Sequence, residues 1–161
     1  MEGKNSRIPR AILVFGAPSS GKTTFAENFS KKFNMPSFDM DILAAQHDLN
    51  RQKILLIIEQ LAKTRSNLII EGGLDTEHDR DEIRGILKLA GYNPFLVWIQ
   101  TDVATIKARL KTRLKSDAKA KIAYESSIRN MEAPSENEQV IVLSGKHTFE
   151  TQLKHVLHQL A

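Results

Sequence analysis

The chain contains no cysteine, which excludes disulfide bridges, thiol nucleophiles and thiolate metal sites together. Aromatic residues are scarce at 6%, and most are phenylalanines at apolar-face positions, so no base-stacking platform for a single-stranded nucleic acid is legible. Long hydrophobic runs are missing too. The longest, Ile54-Leu55-Leu56-Ile57-Ile58, is far too short to cross a bilayer, and the N-terminus lacks the apolar core of a secretory signal. The expectation is a cytoplasmic protein without a membrane partner. There is no internal repeat or low-complexity tract, and nothing in the pattern sets an oligomeric state.

What is present fits one domain of 161 residues, with 41% hydrophobic and 26% charged residues, ordinary proportions for a globular chain. The formal charge of +4 and pI near 9.4 suit an anionic ligand such as nucleotide phosphates or a nucleic acid.

The most specific stretch is Gly16-Ala17-Pro18-Ser19-Ser20-Gly21-Lys22-Thr23, a P-loop spacing of Gly, four free positions, then Gly-Lys-Thr. Ala11 to Phe15 before it reads as a buried strand, and Thr24 to Phe33 after it as a helix with a Phe25, Phe29, Phe33 core stripe. A triphosphate needs backbone N–H groups aimed at it from a tight curl at the positive end of a helix. Gly16 and Gly21 permit the curl, with Ala17, Pro18, Ser19 and Ser20 between them. Lys22 reaches the β- and γ-phosphates, and the Thr23 hydroxyl is the expected protein ligand of Mg²⁺. Thr24 completes the loop's residue set and is expected mainly to pack.

Further along, Pro36 to Asp41 reads as a short strand whose alternation turns Asp39 and Asp41 to one side and Met40 to the other. Two roles stand open for these acids: binding a substrate hydroxyl or a magnesium-bound water, or capping the helix that starts at Ile42. A short helix to His47 and a longer one from about Arg51 to Thr64 follow. The latter carries more apolar residues than one buried face needs, Leu56 and Ile57 among them, which suggests a second covering surface. Asn67 to Glu71 is a buried strand ending in an acid and then Gly72-Gly73. Glu71 is placed to hold a metal's water shell, and the glycines permit close backbone approach to a substrate.

Thr76 caps a charged helix from Glu77 to Ala90, on which Arg80, nearest the strand end, is a candidate substrate contact. Pro94 to Gln100 is another buried strand. Asp102 then caps a helix with Val103, Ile106, Leu110 and Leu114 inward and Arg109 and Arg113 one turn apart, able to share an anion. Residues from Ser116 to Asn130 add Lys119, Lys121 and Arg129 without a strong apolar stripe and suit a helical lid, about 115–133. Gln139 to Leu143 is the fifth strand, a turn holds Gly145, and Thr148 to Leu160 is the last helix. Met1 to Pro9 reads as a short lead with no assigned function.

With these parts in order, the chain resembles the adenylate-kinase-like P-loop kinases over nearly its whole length. Within them it is similar to the small predicted kinases related to polynucleotide kinase and zeta toxin, with the gluconate and shikimate kinases further off. Phe38-Asp39-Met40-Asp41, the Arg109 to Arg113 pair and Met131 to Glu138 carry that likeness beside the P-loop. The resemblance implies a five-stranded parallel α/β sheet ordered 2-3-1-4-5, helices on both faces and a small helical lid. It implies ATP and Mg²⁺ as cofactors and phosphoryl transfer to a hydroxyl of a small molecule or a nucleic-acid end. On this chain Asp41 would take the hydroxyl proton, Asp39 would assist the metal or substrate, Arg109 and Arg113 would stabilise the moving phosphoryl, and the turn at Gly145 would border the adenine. Two positions depart from the common pattern: Glu71, where Asp is frequent, and Ser19, where Gly is frequent. A non-catalytic ATP-binding switch and a nucleic-acid-stimulated ATPase are the alternatives.

Overall fold

Strand β1, Arg10–Phe15, sits at the centre because it is buried along almost its whole length, and a strand covered on both faces must be apolar at every position. A computed structural model describes residues 7–161; residues 1–6, including Lys4 of the expected lead, lie outside the described residues. Among the described residues, β1 pairs in parallel with β3, Leu68–Glu71, on one side and with β4, Asn93–Gln100, on the other. The edges are β2, Ser37–Asp39, beside β3 and β5, Val140–Ser144, beside β4. The order is therefore β2-β3-β1-β4-β5, the five-stranded arrangement expected.

Alternation along β1 divides the core. Ala11, Leu13 and Phe15 face the helices α2, Met40–His47, α3, Arg51–Ala62, and α4, Glu77–Leu89, with Ile58, Ile83 and Leu87 fully buried there. Ile12 and Val14 face α1, Lys22–Phe33, and α7, Phe149–Leu160, through Phe25, Phe29 and Val156. Each of these large side chains contributes about 2 kcal/mol by leaving water. Helices α5, Val103–Leu114, and α6, Asp117–Ile128, form a smaller cluster of their own around Ile106, Leu110 and Ala120, against which Ala17 of the P-loop packs.

Helix starts follow the sequence closely. Thr76 caps α4 in a reciprocal capping box with Asp79, Asp102 caps α5, and Asn34 ends α1 in the left-handed conformation. Three local expectations are corrected. Strand β2 stops at Asp39, so Asp41 stands in the first turn of α2 rather than on the strand. Val103 is exposed, because α5 turns its inner stripe towards α6 from Ile106 onward. Thr24 is exposed rather than packed, since α1 begins at Lys22 and turns this side of its first turn to a cavity. Among the described residues no helix is long and apolar enough to cross a membrane.

Candidate active site

The C-terminal ends of β1, β2 and β3 meet the N-terminus of α1, and there the P-loop turns. Ser19 at φ 59° and Gly21 at φ 103° take left-handed conformations that bend the chain into the first turn of α1. Gly21 is the helix cap and offers no side-chain acceptor, so the leading N–H groups of α1 keep no side-chain partner. The Ser20 hydroxyl is buried inside the loop without a hydrogen-bond partner. Donors at the positive end of a helix, with a buried polar atom left unpaired beside them, suit an anion with several oxygens, and a triphosphate meets that description. Lys22 Nζ now rests on the Gly16 carbonyl at 3.1 Å.

A cavity of about 740 Å³ opens over the loop and is lined by Ser19, Gly21, Lys22, Thr23 and Thr24 from the loop side. Asp39 and Asp41, and Arg109 and Arg113, line it too, together with Gly145. Five separate elements thus bring these residues to one place. Asp39 both ends β2 and caps α2, accepting from the Ile42 N–H at 3.0 Å, so the capping role left open for the acids falls to Asp39. Asp41 accepts from the Gly73 N–H at 3.0 Å through Oδ1. Gly72, at φ 79°, lies so close to Asp41 that a Cβ there would come within 2.7 Å of Oδ2 and 2.8 Å of the backbone nitrogen.

Arg109 bridges two loops, donating from Nη1 to the Ser19 carbonyl at 3.1 Å and from Nη2 to the Gly145 carbonyl at 2.9 Å. Gly145 is pressed against the P-loop: a Cβ there would collide with the Ser20 carbonyl and the Thr101 hydroxyl. Three other cations of α5 and α6 have local partners. Lys111 pairs with Asp117, Lys121 with Glu125, and Lys107 lies over the Tyr124 ring at 5.2 Å.

Glu71 stands behind Thr23, 3% exposed, and its Oε2 accepts from the Thr23 hydroxyl at 2.9 Å. Burial pushes its carboxyl up to about 7, the Thr23 hydrogen bond opposes that rise, and the nearby Asp39 charge adds to it. A hydroxyl and two carboxylates form a hard oxygen set, which suits Mg²⁺ completed by phosphate oxygens and water. No group of three or more His, Cys, Asp or Glu side chains able to hold a metal occurs among the described residues.

Arg80 requires the clearest correction. It is fully buried and makes no approach to the cavity. Its Nε and Nη2 donate to Glu138 at 2.7 and 2.9 Å, its Nη1 reaches the carbonyls of Leu74, Asp75 and Glu132, and its Cζ lies 4.6 Å from the centre of the Phe15 ring. All three guanidinium nitrogens are engaged inside the protein and the side chain is fully buried, so a substrate contact is excluded. The guanidinium holds the Glu138 carboxyl below the usual carboxylate range. Conversely, Arg51, at the start of α3, was given no role by the sequence. It reaches the Gly73 carbonyl at 2.7 Å, and no local pattern ties it to that glycine.

A family profile described as an AAA domain matches residues 12–136, from β1 through the segment that follows α6. The chain belongs to that family. No curated protein sequence matches it. Among solved structures it is similar to a sugar kinase from Janibacter sp. HTCC2649, unliganded, at 20% identity and a TM-score of 0.72, with 94% of each chain covered. It is similar also to the APS kinase of Mycobacterium tuberculosis, solved with AMPPNP and APS, at 18% identity and a TM-score of 0.71, covering 94% of this chain and 97% of that one. Kti12 of Chaetomium thermophilum, solved with ADP-AlF3, matches at 16% identity and a TM-score of 0.72, covering 93% and 96%. At these identities the likeness establishes the fold, that of the P-loop kinases.

Proposed function

We propose that this chain is an ATP-dependent phosphotransferase that moves the γ-phosphate of Mg-ATP to a hydroxyl of a small molecule or of a nucleic-acid end. The observation that carries the reading is the meeting of Lys22, Thr23, Asp39, Asp41, Arg109 and Arg113 in one cavity over a P-loop. The loop N–H groups and Lys22 bind the phosphates. Asp41 Oδ1 is taken by Gly73, which leaves Oδ2 to receive the proton of the acceptor hydroxyl. As that proton leaves, the acceptor oxygen bonds to the γ-phosphorus. The bond from the γ-phosphorus to the bridging oxygen breaks, and its electron pair departs with ADP. Lys22, Arg109 and Arg113 face the charge spread over the moving phosphoryl. Thr23, Glu71 and Asp39 would hold Mg²⁺ and its waters, and the ion would neutralise charge on the phosphate oxygens. Closure of α6 and its flanking residues as a lid, about 115–133, would exclude water and so suppress hydrolysis.

The test is transfer of label from γ-labelled ATP to a panel of sugars, nucleosides and 5′-hydroxyl oligonucleotides, with Lys22→Ala as the blank. Label in an acceptor is expected, and Asp41→Asn should abolish it while leaving ATP affinity nearly unchanged. Label found only in free phosphate, whether or not DNA or RNA speeds its release, would overturn the reading. A second reading, an ATP-binding switch that signals through α3, is favoured by the exposure of Leu56 on α3 at 55% and Leu89 on α4 at 92%. Tight ATP binding with no transfer to any acceptor would select it.

A further inference from the structure

The loop between β3 and α4 is held by two arginines that come from different helices. Three consecutive carbonyls each accept from a guanidinium: Gly73 from Arg51 Nη1 at 2.7 Å, and Leu74 and Asp75 from Arg80 Nη1 at 3.1 and 3.2 Å. The same Gly73 peptide donates its N–H to Asp41 Oδ1 at 3.0 Å. Arg51 is fixed in turn by Glu82 at 2.9 Å through Nε and by the Asp79 carbonyl at 3.0 Å through Nη2. Gly73 sits at φ 67°, and a Cβ there would lie 3.4 Å from Arg51 Nη1, so the glycine admits the guanidinium to its own carbonyl.

We infer that Arg51 is a positioning residue for Asp41: by gripping the Gly73 carbonyl it fixes the N–H that orients the Asp41 carboxylate. The inference rests on the phosphotransferase reading for its catalytic consequence. The physical reason is that a left-handed glycine pair is soft about its backbone dihedrals, and a donor on a soft peptide orients its acceptor poorly. A charged hydrogen bond to one side of that peptide removes the freedom while strengthening donation from the other side, because hydrogen bonds in a chain polarise one another. One oxygen of Asp41, a residue that lines the cavity, is thereby occupied. Arg51 touches neither nucleotide nor acceptor in this arrangement, since it is not among the residues lining that cavity.

The experiment uses the full chain in wild-type form and as Arg51→Ala, Arg51→Lys, Asp41→Asn and the Arg51→Ala/Asp41→Asn double variant. Two quantities are read: label transfer at saturating acceptor, and the hydrogen-exchange rate of the Gly73 amide by NMR. Arg51→Ala should lower kcat roughly ten- to a hundredfold with the KM for ATP unchanged, the signature of misplacement rather than lost binding. It should also speed exchange at Gly73 about tenfold, and Arg51→Lys should recover part of both. Because Asp41→Asn alone abolishes transfer, the double variant is read by exchange, and Arg51→Ala should speed exchange at Gly73 in that background as well. Unchanged exchange at Gly73 in Arg51→Ala, or an unchanged kcat with a raised KM for ATP, would overturn the inference. If the wild type transfers no phosphate to any acceptor, the phosphotransferase reading fails by itself. The exchange rates then decide alone whether Arg51 holds Gly73 against Asp41.

Discussion

Two loops at the same end of the sheet are finished in opposite ways. The P-loop after β1 keeps its donors open, with a glycine cap that accepts nothing by side chain and a buried Ser20 hydroxyl without a partner. The loop after β3, from Gly72 to Asp75, has its groups engaged, with three carbonyls on two arginines and the Gly73 N–H on Asp41. The difference teaches what each is for. Unpaired donors at a helix N-terminus are costly unless a ligand completes them, whereas a loop pinned at three carbonyls is a support that keeps a neighbouring carboxylate in place.

The sharpest way to break this comparison is to loosen the supporting loop. Arg80→Ala leaves Glu138 buried without its partner and takes the guanidinium from three carbonyls, and it should cost about 3–5 kcal/mol of stability, read from urea unfolding. A loss below about 1 kcal/mol would mean that the buried pair supports little. Gly72→Ala should be next. It puts a side chain into a left-handed position against Asp41, should cost about 1–3 kcal/mol, and should depress label transfer more than ATP affinity.

Glu71 stands between the two loops and gives a pH test. Its carboxyl lies near 7 in the fold against an ordinary 4.5, so the folded state binds the additional proton between those values. Stability of the nucleotide-free and metal-free chain should therefore fall as pH rises from about 4.5 through about 7, by on the order of 3 kcal/mol, and Glu71→Gln should flatten that slope. Unfolding midpoints at stepped pH values check it, and a stability that rises over the same window in the wild type would contradict the buried, proton-holding Glu71. The smallest effect is expected inside the P-loop. Ser19→Gly relieves a left-handed serine but frees the unfolded chain, so the net gain should stay under about 1 kcal/mol, with ATP affinity within a factor of about three.

Much of this was readable before folding because it is local. Strands β1, β3 and β4 are covered on both faces, so they are apolar without interruption, and their ends could be located to within a residue or two. Caps at Thr76 and Asp102 were legible since a cap needs only its own helix. The second strand was misjudged at its end because Phe38-Asp39-Met40-Asp41 satisfies two patterns. Strand alternation and a helix cap at Asp39 compete there, and Met40 is buried under either one. Arg80 was misassigned for a different reason. Its distance from the strand end was read correctly, but its direction is set by Glu138, 58 positions later in the chain.

By itself the sequence determined the P-loop, the buried strands and the set of charged residues that gather near them, because spacing and periodicity act over a few residues; the parallel order of the strands came only as what the family resemblance implied. Which of those charges face the cavity was decided only by tertiary structure. Arg80 lost its place to a buried carboxylate, Asp39 divided its carboxylate between a helix cap and the cavity, and Arg51 entered the network through a backbone carbonyl that leaves no trace in any side chain. Hydrogen-bond partners are chosen by proximity after the chain has collapsed, and for a long side chain that proximity belongs to the fold rather than to its neighbours in sequence.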